Sequence, residues 1–371
     1  MIQAARIARA GAGATAGPKA GPRRRLTCRA ALKAAALFLS LILVLLPAAS
    51  AGPFRPFRFA WLTDTHVGSE RGEADLREVV SDINSVPGLS FVLVSGDITE
   101  MGSCRELRLA KAILDGLSLP YRIIPGNHDT KWSESGATCF SRLWGRDRFV
   151  FKAGGVRFIG MHQGPVMKMA DGHWSPQDVR WLDGLLAGGR ARKTPIIFVT
   201  HYPVDESIDN WFVVLERLKK VPTAAVLCGH GHANRVLEFE GVPGVMSRAT
   251  VGTKDVSPGY TVVEVGADHI AFFERTGGQT RPAWHTVRFD RKEKSLGPAA
   301  APNPKEGTAG ATPRPDFSVN RSFPGVKTRW KRETGWTIAS SAAVFRGLVM
   351  VGDASGKFRA LRAADGSTAW E

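Results

Sequence analysis

Acidic residues are missing from the first 51 positions of this 371-residue chain, which hold eight lysines and arginines. Residues 291–371 carry fourteen basic side chains against seven acidic ones. These two ends account for all but one unit of the formal net charge of +16, so residues 52–290 are close to neutral. That lack of net charge speaks against a dedicated nucleic-acid surface in the middle of the chain. The apolar run from Ala34 to Leu46 is short for a membrane span. It follows Arg23, Arg24, Arg25, Arg29 and Lys33, is broken by Pro47, and is trailed by the small residues Ala49-Ser50-Ala51. This is the make-up of a signal peptide over residues 1–51, with an uncleaved N-terminal anchor as the alternative. Export to a periplasmic or extracellular space follows from the first reading. Cysteine is scarce, four in all, and Cys28 precedes the apolar run where a lipoprotein cysteine would follow it. Cys104, Cys139 and Cys228 remain after cleavage. Three free thiols is the plain expectation, and an oxidising compartment would allow one disulfide, Cys104 with Cys139.

From residue 57 the pattern is rich in strands and helices. Phe57–Leu62, Phe91–Val94, Tyr121–Ile124, Pro195–Val199 and Ala224–Cys228 are short apolar runs bounded by polar or glycine-rich turns. Phe149–Ala153, Val156–Met161, Tyr260–Val265 and Ile270–Phe273 read as further strands. Leu76, Val79, Val80 and Ile83 recur at helical spacing, as do Ala110, Ile113, Leu114 and Leu117. Val179, Leu182, Leu185 and Leu186 mark a third helix, opened by Ser175 as N-cap and Pro176 at its first position. The class is α/β with a mixed, layered sheet arrangement. Residues 291–323, broken by proline and lacking apolar periodicity, read as a flexible linker.

Polar clusters fall where five of the strands end. Asp64 and His66 follow the first, Gly96-Asp97 the second, and Gly126-Asn127-His128-Asp129 the third. His201 ends the fourth, and His230-Gly231-His232 follows the fifth. Ligands in open α/β sheets bind beyond the carboxyl ends of strands, so these clusters are expected to converge. Imidazole, carboxylate and amide oxygen together suit Mn, Fe or Zn better than calcium. Seven such groups exceed the needs of one ion with an open position and suit two ions that share a carboxylate. His162, His173, His269 and His285 stand alone and are given no metal role.

The same clusters, in the same order, resemble the signature of the calcineurin-like metallophosphoesterase superfamily over roughly residues 57–275. The resemblance implies a layered β-sandwich flanked by helices and two divalent or trivalent transition-metal ions. It implies that Asp64, His66 and His232 hold one metal and that Asn127, His201 and His230 hold the other, with Asp97 bridging. It further implies that His128 stabilises the transition state or protonates the leaving oxygen, and that Asp129 orients His128. Glu100 departs from the pattern, since many relatives carry Asp there.

The expected activity is hydrolysis of a phosphomonoester or phosphodiester by a metal-bridging hydroxide, on a phosphorylated substrate whose class the ligand set leaves open. The stretch from Trp330-Lys331 to Trp370, punctuated by Gly347, Gly352, Gly356 and Gly366, resembles a blade repeat of quinoprotein-type β-propellers. The organisation read from the sequence is a signal peptide at 1–51, a phosphoesterase domain at 52–290, a linker at 291–323 and an incomplete propeller repeat at 324–371. The alternative function is a propeller-based binding or sensing protein, with a propeller-mediated partner and the phosphoesterase as accessory.

Overall fold

Strand β1 (Phe57–Leu62) shows why the architecture is layered. Phe59 and Trp61 are buried in one apolar cluster and Ala60 and Leu62 in another. Side chains alternate across a strand, so both faces of β1 must be covered. A computed structural model describes residues 54–164, 171–188, 194–289, 318–322, 325, 327–334, 338, 341–353 and 356–371. The expected signal peptide at 1–51 lies outside the described residues, as does the expected linker at 291–323 apart from a 3-10 turn at Ser318–Ser322.

One sheet places β1 beside β2 (Leu89–Ser95) and β3 (Tyr121–Ile124), all parallel. On the other side of β1 follow β10 (Gly259–Val265), β11 (His269–Thr276) and β12 (Gln279–Arg288), an antiparallel meander. The second sheet runs β4 (Arg148–Ala153), β5 (Val156–Met161), β6 (Ile196–Val199), β7 (Thr223–Cys228), β9 (Val242–Met246) and β8 (Arg235–Phe239). Its strands β5, β6, β7 and β9 are parallel.

Phe59, Trp61, Phe91 and Leu93 of the first sheet meet Phe158, Ile197, Val199 and Leu227 of the second. The outer face of the first sheet is covered by helices α1 (Gly72–Ser85), α2 (Cys104–Leu114) and α4 (Thr138–Trp144). That of the second is covered by α5 (Pro176–Leu186) and α6 (Trp211–Leu218). The result is a four-layer α/β sandwich with helices outside. Helix α5 begins as expected: the Ser175 hydroxyl accepts from the Asp178 amide and Pro176 occupies the first turn.

Cys104, the first residue of α2, is disulfide-bonded to Cys139 in α4, which corrects the plain expectation of three free thiols. Cys228 stays free and buried at the end of β7. Near the C-terminus β13 (Ala343–Phe345), β14 (Leu348–Gly352), β15 (Phe358–Arg362) and β16 (Thr368–Trp370) form a separate antiparallel four-stranded sheet in sequence order. Among the described residues no helix is long and apolar enough to cross a membrane.

Candidate metal centre

Parallel strands deliver their carboxyl ends to one side of a sheet, and here β1, β2 and β3 face β6 and β7 across the sandwich. The chain must turn sharply after each strand to bring polar side chains inward. It does so with a left-handed backbone at Asp64, His66, Asp97, His230 and His232, whose φ values lie between 44° and 71°. Eight described non-glycine residues have positive φ, and these five are among the seven expected ligands. Such backbone costs of order 1 kcal/mol or more per residue and persists where the surroundings hold it. The surroundings do hold it: Asp64 N donates to Gly96 O at 2.9 Å, and Thr65 N and His66 N to Asp97 O at 2.8 and 3.1 Å.

Two motif glycines explain how close the turns come. A Cβ at Gly126 would stand 2.2 Å from Asp97 N, and one at Gly229 would stand 1.9 Å from Thr63 Oγ1.

Three groups of side chains lie close enough to hold a metal ion: Asp64 with His66 and His232, Asp97 with His201 and His230, and His66 with Glu100 and His128. None of His162, His173, His269 and His285 belongs to such a group among the described residues.

Asp64 Oδ2 accepts from Thr63 Oγ1 at 2.7 Å and from His230 N at 3.1 Å. Its Oδ1 is buried and makes no hydrogen bond. Nε2 of His232 approaches that oxygen to 3.2 Å, and Nε2 of His66 and of His201 each lie 4.0 Å away. His232 can offer this oxygen a proton only in its charged form and without good alignment, whereas a cation among these atoms would satisfy it.

His201 makes the same point. Its Nδ1 donates to Ser95 O at 2.9 Å, which leaves Nε2 facing Asn127 Oδ1 at 3.0 Å and Asp97 Oδ2 at 3.1 Å. A bare nitrogen lone pair would repel both oxygens. Burial disfavours charge on this imidazole, yet Asp97 and Asp64 draw its pKa up to about 9. The site demands positive charge at that spot. His66 Nε2 and His232 Nε2 likewise face each other at 3.2 Å.

Burial alone would raise both carboxyls, but they are held below the usual range, Asp64 by His232 and His201 and Asp97 mainly by His201. Burial and the neighbouring His201 push His230 down to about 4, so it stands as a neutral donor. The donors present, four imidazoles, two carboxylates and one amide oxygen, fit transition-metal ions.

His128 opens the short helix α3 (Asn127–Lys131) with Asn127 and Asp129. Its backbone N donates to Asp97 Oδ1 at 2.8 Å, and its Nδ1 rests on Glu100 O at 2.6 Å.

Asp129 requires a correction. Its Oδ1 accepts from Thr99 N at 2.9 Å and Thr99 Oγ1 at 2.7 Å, and its Oδ2 from Ile98 N at 3.1 Å and Gly126 N at 2.8 Å. The carboxylate is therefore committed to clamping the loop after β2 onto the loop after β3. The group that orients His128 is a backbone carbonyl.

Glu100, a departure from the family pattern, holds His66 Nδ1 at 2.9 Å through its side chain. Tyr202, next to His201, packs its ring against His230 with centroids 4.3 Å apart.

Fold and site together are consistent with a metal-dependent phosphoric ester hydrolase. Residues 57–234 match the sequence model of the calcineurin-like phosphoesterases, so the chain carries a calcineurin-like metallophosphoesterase domain, and enzymes of that family use a binuclear metal centre. It is 28% identical over 249 residues to the serine/threonine-protein phosphatase CPPED1 of Bos taurus, spanning 57% of this chain and 77% of that protein. It is 27% identical over 195 residues to the probable glycerophosphodiester phosphodiesterase GpdQ of Arcobacter nitrofigilis, spanning 46% and 70%. A dimetal phosphatase from Danio rerio shares the fold, with a TM-score of 0.52 at 17% identity, over 63% of this chain and 99% of that one.

Proposed function

We propose that this protein hydrolyses phosphomonoester or phosphodiester bonds with two metal ions of the Mn, Fe or Zn kind. In this reading Asp64, His66 and His232 hold the first ion, Asn127, His201 and His230 the second, and Asp97 serves both. The observation that carries it is Asp64 Oδ1, buried, without a hydrogen bond and ringed by three imidazole nitrogens. Bound in pairs, such ions supply Lewis acidity and an activated water near neutral pH.

The chain's own residues do the rest. Asp97 Oδ1 fixes the start of α3 through the His128 amide. With Nδ1–H donated to the Glu100 carbonyl, His128 keeps Nε2 as the edge that can carry a proton to a leaving oxygen. Asp129 keeps the two loops in register so that this edge stays aimed. Relatives named as a protein phosphatase and as a glycerophosphodiester phosphodiesterase support a phosphoester bond and leave the rest of the substrate open.

Export to an oxidising space is part of the proposal, supported by the basic then apolar start of the chain and by the Cys104–Cys139 disulfide. So is the organisation into 1–51, 52–290, 291–323 and 324–371, the last piece a partial propeller repeat. The sequential four-stranded meander supports that last assignment. A second reading, a propeller-based binding protein with the hydrolase as accessory, is favoured by one feature: Val344, Phe345, Phe358 and Trp370 are exposed apolar residues of that small sheet.

The test is metal reconstitution. Metal-free protein given Mn, Fe or Zn is expected to take up about two ions per chain and to hydrolyse an aryl phosphate or a bis-aryl phosphodiester. Elemental analysis that finds no retained metal would overturn the proposal.

A further inference from the structure

Glu100 lies three residues beyond Asp97 and meets two imidazoles with two different groups. Its Oε2 is 2.9 Å from His66 Nδ1, and its backbone carbonyl is 2.6 Å from His128 Nδ1. A carboxylate only accepts, so His66 carries its proton on Nδ1 and turns a bare Nε2 toward His232 and Asp64. The backbone of Glu100 is held without help from its side chain. Its amide donates to Val67 O at 3.0 Å, while Val67 N bonds Ile98 O and Gly102 N bonds Thr99 Oγ1. Removing the carboxylate therefore leaves the carbonyl under His128 in place. The side chain is also 38% exposed, so truncation opens no buried cavity.

We propose that the Glu100 carboxylate is a positioning residue for His66 alone, fixing the tautomer and ring orientation with which His66 binds the first metal ion. This rests on the metal assignment made above. Partners that hold the far nitrogen of a ligating imidazole commonly matter ten- to a hundredfold in metal affinity. The effect should be confined to the ion held by Asp64, His66 and His232. The ion held by Asn127, His201 and His230 has a different support, since His201 Nδ1 is held by Ser95 O.

Calorimetric titration of the metal-free full chain with Mn²⁺ tests this, comparing the wild type with Glu100→Ala and Glu100→Gln. The wild type is expected to show two binding steps. In Glu100→Ala one step weakens about ten- to a hundredfold while the other stays within about twofold. Glu100→Gln, which keeps an acceptor without the charge, falls between. At saturating Mn²⁺ the dependence of rate on leaving group is expected to match the wild type, because the carbonyl still holds His128. Equal weakening of both steps would overturn the inference, since Glu100 would then be supporting the whole loop. So would no change in either step, or a third Mn²⁺ equivalent present in the wild type and lost from both variants, which would make Glu100 a ligand. Absence of paired binding in the wild type would instead bring down the metal assignment itself.

Discussion

Two polar clusters of this molecule, one half-buried and one fully buried, use the same kinds of residue to opposite ends. Where α1 crosses the first sheet, Asp82 receives Arg275 through Nε and Nη2, both at 2.6 Å, and the Tyr260 hydroxyl at 2.9 Å. Each carboxylate oxygen has a donor, so the cluster is complete within the chain. At the strand ends, Asp64 Oδ1 makes no hydrogen bond, and His201 Nε2 can bond Asn127 Oδ1 and Asp97 Oδ2 only by taking on a second proton and its charge. Burying polar groups without partners is costly, so a cluster that the chain alone does not complete, kept in place by strained backbone, fits a cation-binding role. The difference teaches that hydrogen-bond completeness separates a structural carboxylate from a ligating one better than burial does. Asp129 makes the case inside the site, being fully buried and fully bonded.

The largest effect should come from Asp97→Ala. Asp97 is the one carboxylate proposed to serve both ions, and its Oδ1 also anchors the His128 amide. The variant is expected to lose both metals and activity by at least about 10³-fold. Metal content by elemental analysis, with circular dichroism to confirm folding, checks it. Two ions retained in a folded Asp97→Ala protein would show that the bridge is misassigned.

His128→Ala comes next and sharpens the contrast between holding metal and moving protons. The expected result is two ions retained and a rate lower by about 10²–10⁴-fold, the range for a general acid. The deficit should shrink for aryl esters with acidic leaving groups, which need little protonation. A uniform loss across leaving groups would mean that His128 acts by electrostatics rather than as an acid.

Much of this was legible in the chain. Apolar runs bounded by glycine and polar residues gave β1, β3 and β5 their observed limits, and β2, β6 and β7 to within two residues at each end. Strand β12 is not legible in the sequence because Pro282 interrupts it and its residues are mostly exposed, as befits an edge strand. Helix α6 carries a signal beyond the expected helices: Trp211, Val214, Leu215 and Leu218 repeat at helical spacing and are its buried face.

In the site, sequence order named the residues that the loops bring together but not what each one touches. The family resemblance pairs Asp129 with His128, its neighbour on α3. Residues adjacent on a helix point about 100° apart, and the two side chains accordingly found different partners. Glu100 stands out in the sequence only as a departure from the family pattern, because its role depends on how the loop after β2 is bonded to the loop after β1, at Val67. No spacing rule records such a bond.

The smallest effect tests the complete cluster. Burial raises the Asp82 pKa, but the hydrogen bonds from Arg275 and Tyr260 outweigh it and leave the carboxyl below its ordinary value. A depressed pKa means stability that is fully present above the unfolded-state value near 4 and is lost as pH falls through the folded value. Asp82→Asn is therefore expected to cost about 1–2 kcal/mol at neutral pH, the range for a charged, partly exposed hydrogen-bonded pair. The gap to the wild type should close as pH drops below about 4. Urea unfolding at a series of pH values measures it. Metal content and turnover should not change, because Asp82 lies ten residues along α1 from Gly72, about 15 Å from the turn that carries His66. If the gap stayed constant down to low pH, the carboxylate charge would not be what stabilises this corner. If turnover fell in step with stability, the two clusters would be coupled, and completeness could no longer be read as the mark of a purely structural group.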